Sequence, residues 1–156
     1  MQFASMNLGN LFILRVDPGE DVLASIQSFI ELSDLRQAVV LGGYGTLAAY
    51  HLHWVTHNRI PTDKLFRHGE GGIEILSMSG LIVEGEPHIH VTLSTSEGAF
   101  GGHLEPGCTA YVLCEIFFAE ISGISLTRQK ATVSIDRMGA GEVSRLIYGE
   151  RNNFDE

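Results

Sequence analysis

Apolar residues recur along this chain first at helical spacing and then, over most of its length, at every second position. Residues 10–16 form an apolar stretch suited to a strand. It stops at Asp17-Pro18-Gly19-Glu20, which has the chemistry of a helix start. Asp17 can cap the free amides of a first turn, Pro18 fits the first helical position, and Glu20 completes a capping box three residues on. Val22, Leu23, Ile26, Phe29 and Ile30 then share one face, which predicts a helix over 18–32 packed on a sheet. Beyond it the period falls to two. Alternation in 38–41, 47–55, 73–83, 88–93, 110–121 and 124–135, broken by Gly, Pro, Glu and Ser clusters, predicts strands. One helix and a run of strands joined by short turns predict a single α+β domain over 1–156, a mainly antiparallel β-sheet with a packed α-helix. The polar, glycine-containing segment 57–72 reads as an exposed loop, and the tail 138–156 as holding a short helix around 142–147.

The alternation in Pro87-His88-Ile89-His90-Val91-Thr92-Leu93 places Ile89, Val91 and Leu93 on one face and both histidines on the other. A hairpin through Thr95-Ser96-Glu97-Gly98 sets His90 opposite His103. Side chains so opposed have Cβ atoms about 4.5–5.5 Å apart, and same-face neighbours repeat every roughly 6.6 Å along a strand. Three imidazoles at those separations can converge on one divalent ion at about 2.0–2.1 Å, with a position left for water or substrate; zinc and its first-row neighbours suit such ligands. Gly101 and Gly102 would let the backbone beside His103 bend or be approached closely. His51 and His53 share a face of 47–55, but no third ligand accompanies them, and with His57 they read as polar strand and loop histidines.

Gly43-Tyr44-Gly45-Thr46-Leu47-Ala48 matches a loose dinucleotide fingerprint, yet strand alternation follows it where the fingerprint must open a helix, so it reads as a glycine turn between strands. Cys108 and Cys114 lie six residues apart on an apolar alternating segment and read as two buried free thiols. Ten basic residues against nineteen acidic ones give a formal charge of −9 with no basic run, which disfavours nucleic acid as a partner. The chain shows neither a leader nor an apolar run of membrane-spanning length, and the expected location is cytoplasmic.

Several segments resemble the plants-and-prokaryotes conserved (PPC) domain in order from about residue 11 to 128. They are Asp17 to Val22, Gly42 to Gly45, Glu74-Ile75-Leu76-Ser77-Met78-Ser79-Gly80, Pro87 to Val91, and Gly101-Gly102-His103-Leu104 with Gly107-Cys108. The resemblance implies an antiparallel sheet with a packed helix, assembly as a homotrimer, and a histidine cluster that binds zinc in prokaryotic members; His88, His90 and His103 fall on it. The fold is also similar to that of acetolactate decarboxylase, a metal enzyme, but a shared fold does not transfer a reaction. Plant members add an AT-hook, which is absent here, and a hexapeptide that reads Gly71-Gly72-Ile73-Glu74-Ile75-Leu76 in this chain, without its arginine and aromatic residue. The sequence therefore points to a stand-alone protein with a three-histidine metal site, zinc its first candidate, that works as a metal-dependent enzyme or as a small-molecule binder, with a DNA-binding regulatory protein as the alternative. Within the motif Glu74 is the acidic residue on offer as a general base, against the simpler role of a solvated strand carboxylate.

Overall fold

The structure, a computed structural model, describes residues 2–150. The alternating segments become strands, most of them longer than their patterns: β1 (Asn7–Val16), β2 (Gln37–Val55), β3 (Lys64–Val83), β4 (Glu86–Thr95), β5 (Gly98–Leu104), β6 (Thr109–Ser122), β7 (Ile124–Ile135) and β8 (Gly139–Glu150). The single helix, α1 (Val22–Leu32), packs through Val22, Ile26 and Ile30. Its Phe29 meets Phe12 of β1 at 5.5 Å and Phe118 of β6 at 5.1 Å between ring centroids. Burying each aliphatic side chain on that face contributes about 1.5–3 kcal/mol, so the helix is held by its apolar stripe more than by propensity.

The helix begins later than the sequence led one to expect. Asp21, not Asp17, is the N-cap: its Oδ1 accepts the Ala24 amide at 2.8 Å. Residues 17–20 form a turn in which Gly19 has φ +88° and the Asp17 amide donates to Glu20 Oε2. The backbone of Gly19 and Val22 is meanwhile hydrogen-bonded to Ala110 and Cys108. Pairing with the start of β6 thus takes amides that a helix would have used.

Six strands form one antiparallel sheet in the order β1-β6-β2-β3-β4-β5. Its far edge returns to its middle, because β5 also pairs with β2 through Leu52↔Leu104 and His53↔His103. Strands β2, β3, β4 and β5 therefore close into a small barrel. Gly102 permits the closure: a Cβ there would lie 2.9 Å from the His53 carbonyl and 3.1 Å from the Trp54 ring. The 42–45 glycines do not make a turn. They lie inside β2, where Gly43 and Gly45 allow close strand approach: a Cβ at Gly45, φ +143°, would run into the Leu113 carbonyl of β6, and one at Gly43 into Met78 of β3.

Two further expectations are corrected. Of the supposed loop 57–72, residues from Lys64 onward belong to β3 and pair with β2 from Val55↔Lys64 to Ala49↔Glu70. Their polar side chains are exposed, so hydrophobic alternation could not mark them as strand. The helix around 142–147 is instead part of β8, paired with β7 throughout; residues 151–156 lie outside the described residues. The β7–β8 hairpin joins the body through Ile124 and Leu126, packed with Val83, Ile121, Leu146 and Tyr148. Buried Gln37 fixes that junction, donating to the Ile121 and Ile124 carbonyls and accepting the Leu126 amide. Among the described residues no helix is long and apolar enough to cross a membrane.

Candidate metal centre

The face alternation of β4 is as its sequence implies. Ile89, Val91 and Leu93 are buried in the core, while His88 and His90 face outward. The β4–β5 register pairs Thr95 with Gly98 and carries through to His90 opposite His103. Across β4, the β3 register places Ser79 beside His90 and Leu81 beside His88. His88, His90 and His103 are brought together on the barrel's outer face: ring centroids are 4.7 Å apart for His88–His103, 5.4 Å for His90–His103 and 5.3 Å for His88–His90. Nε2 of His88 and Nε2 of His90 approach to 3.3 Å. Two nitrogens about 2.05 Å from one tetrahedral ion stand about 3.3 Å apart, so this pair already has the spacing of adjacent ligands.

Barrel closure adds residues that the sequence did not assign to the cluster. His53 of β2, opposite His103, stacks on it with centroids 4.4 Å apart and planes at 27°. Glu105, just past β5, has Oε1 2.5 Å from His53 Nδ1 and 3.4 Å from His103 Nδ1. His53, His103 and Glu105 offer ligand atoms within 4.8 Å of one another. The signal for His53 was indirect: the Gly101-Gly102 pair marked a close backbone approach, but alternation alone does not say that β2 is the approaching strand.

The other candidates lie elsewhere. His51 Nδ1 contacts the Pro106 carbonyl at 2.7 Å, and His57 pairs with Asp63 in the β2–β3 connection. Glu74 sits opposite Ser94 and Thr46, five positions along β3 from the residue beside His90. It is an exposed strand carboxylate and is not a base for this centre.

Electrostatics favour the metal-binding form of the imidazoles. Lost hydration, reinforced by His103, Arg128 and the other nearby histidines, pushes His88 down to about 4. Burial, then His53, also lowers His103, with Glu105 opposing. Both rings are thus neutral at neutral pH, as coordination requires. His103 Nδ1 is buried without a hydrogen-bond partner. An imidazole that coordinates through Nε2 carries its proton on Nδ1, and the nearest carboxylate to receive it is Glu105. The ligand atoms that lie mutually close among the described residues are those of His53, His103 and Glu105, with the His88–His90 pair beside them, and nitrogen and carboxylate donors of this kind suit a divalent ion.

Comparisons with known proteins agree with this architecture. Over 122 residues the chain is 30% identical to the bifunctional protein GlmU of Synechococcus sp. (strain JA-3-3Ab), a match covering 76% of this chain but only 18% of that relative's length. A plant- and prokaryote-conserved protein from Pyrococcus horikoshii is 29% identical, with a TM-score of 0.68 over 84% of this chain and 92% of that one. The metal-containing protein AF0104 from Archaeoglobus fulgidus shares the fold at 24% identity, with a TM-score of 0.70 over 89% and 96% of the two chains. Residues 3–122 match the Plants and Prokaryotes Conserved (PCC) domain, and the chain belongs to that family.

Proposed function

We propose that this protein binds one divalent ion per chain, zinc or a first-row neighbour, through His88, His90 and His103, and acts on or through a small-molecule ligand as a cytoplasmic homotrimer. The observation that carries the reading is the convergence of three imidazoles from a hairpin, two of them already 3.3 Å apart at Nε2. The metal content of AF0104, which shares the fold, supports it. Such an ion supplies Lewis acidity toward a carbonyl or phosphoryl oxygen. Assembly is supported by apolar side chains left exposed on adjacent strands, Leu11 and Ile13 of β1 and Val112 of β6 among them.

Elemental analysis after mild chelation and reloading tests the ion. The expected content is close to one per chain, lost in His88→Ala, His90→Ala and His103→Ala and retained in His51→Ala. Wild-type content in the first three variants, or none in the reloaded wild type, overturns the reading. DNA binding is the weaker alternative, since these residues carry a formal charge of −9 and no basic run.

A further inference from the structure

Glu105 touches two imidazoles at once. Its Oε1 is 2.5 Å from Nδ1 of His53 and 3.4 Å from Nδ1 of His103, and the two rings lie face to face between β2 and β5. A carboxylate at Nδ1 holds the proton there, which leaves Nε2 of the same ring as the lone-pair nitrogen. Glu105 so fixes the tautomer of His53, and it stands 3.4 Å from Nδ1 of His103, where it can accept that proton once Nε2 of His103 coordinates. The His53 side chain is only 9% exposed, so its ring is held in place rather than free in solvent. His103 is the hub of the group, with His53, His88 and His90 all within 5.4 Å of it between centroids.

We propose that His53 is a fourth imidazole ligand of the centre and that Glu105 is the positioning carboxylate which orients both His53 and His103. This rests on the metal reading above and changes its chemistry. Three histidines leave the open position that a Lewis acid needs; with His53 bound, four nitrogens close a tetrahedral shell, and a small-molecule ligand would reach the ion only by displacing His53. The ion taken would be one content with nitrogen ligands alone, with zinc and cobalt as the natural occupants. A Glu105 carboxylate at the Nδ1 edges of the rings would partly offset the dication.

Cobalt(II) is the probe, because its visible bands report the coordination shell. The full chain is loaded with Co²⁺ and titrated with azide, in wild type, His53→Phe, Glu105→Gln and Glu105→Ala. The wild type is expected to bind one Co²⁺ per chain with bands indifferent to azide. His53→Phe keeps the ring stack but not the nitrogen; it should bind more weakly and show bands that shift with azide at the vacated position. Glu105→Ala should lower Co²⁺ affinity roughly 10–100-fold, with part restored in Glu105→Gln, whose amide oxygen still accepts a hydrogen bond. A purely packing role for Glu105 would leave the bands and affinity of a folded Glu105→Ala unchanged. Wild-type bands that shift with azide, and shift alike in His53→Phe, would overturn the four-histidine shell while leaving metal binding intact. The wild-type titration gives that answer even if a variant fails to fold. A wild type that takes up no Co²⁺ removes both readings.

Discussion

Replacing Asp21 with alanine tests how the helix and the metal centre are joined. Its Oδ1 caps the Ala24 amide at 2.8 Å, and its Oδ2 accepts the Gly107 amide at 2.5 Å, in the turn that also carries Glu105. Loss of an N-cap costs about 1 kcal/mol, and loss of a hydrogen bond to a charged acceptor about 1.5–3 kcal/mol. Asp21 is partly exposed, so water replaces some of both and the lower ends apply. The expected loss is about 2 kcal/mol for Asp21→Ala and about half that for Asp21→Asn, which keeps one acceptor. Urea denaturation of metal-free protein at fixed concentration measures it, with the slope m unchanged so that the midpoint reports stability. Because the Gly107 contact steadies the turn that presents Glu105, the alanine variant should also hold metal less tightly. Asp21→Ala within about 0.5 kcal/mol of wild type, the usual range for an indifferent surface change, would show that neither contact matters and refute the argument.

Three other outcomes are expected. Because folding lowers the pKa of His88 to about 4 and also lowers that of His103, the unfolded chain takes up protons first as pH falls below its value of 6.5. Metal-free protein should therefore lose stability between about pH 6.5 and 4, with a shallower loss in His88→Gln; a melting temperature flat across that window in wild type contradicts the assignment. Cys108 and Cys114 are fully buried, and burial pushes their thiols up to about 11 and 12, so a thiol reagent should leave both unmodified until denaturant is added. Fluorescence anisotropy with AT-rich and GC-rich duplexes at physiological salt should show no tight binding to a chain of charge −9; tight, sequence-dependent binding would reverse the preference against DNA.

What the sequence reveals divides by the range of the interaction. The apolar face of α1, the inward residues of β4 and the His90↔His103 register follow from local periodicity and one short hairpin, and all three are present. The helix start was misplaced because Asp17 and Asp21 are both competent caps, and only pairing with β6 selects the second. Val143, Leu146 and Ile147 have helical spacing, yet the partner strand β7 imposes a strand on them. His53 was hidden for a deeper reason. It reaches the cluster only when β5 returns to β2, and no local pattern encodes a pairing between residues 52 and 104, whereas Glu105, two residues past His103, had a local signal in its spacing. Seen along β2 alone, His53 is one more polar residue on a strand.

The β2–β5 pairing has a consequence for how the molecule opens. Two residue pairs, Leu52↔Leu104 and His53↔His103, join those strands, extended by the Glu105 amide donating to the His51 carbonyl, and they close a loop containing all of β3 and β4. So short a seam is the natural place for the barrel to breathe, since stability is lowest where the fewest contacts hold. The imidazoles straddle it, His53 on one side and His88, His90 and His103 on the other. An ion gripping both sides would act as a removable rivet whose binding energy opposes the entropy of opening that loop. Amide hydrogens of Leu52, His53 and Leu104 would then exchange at rates set by metal concentration, while those deep in β6 would not. With such an ion, the strength of this closure would become a quantity the surroundings can adjust.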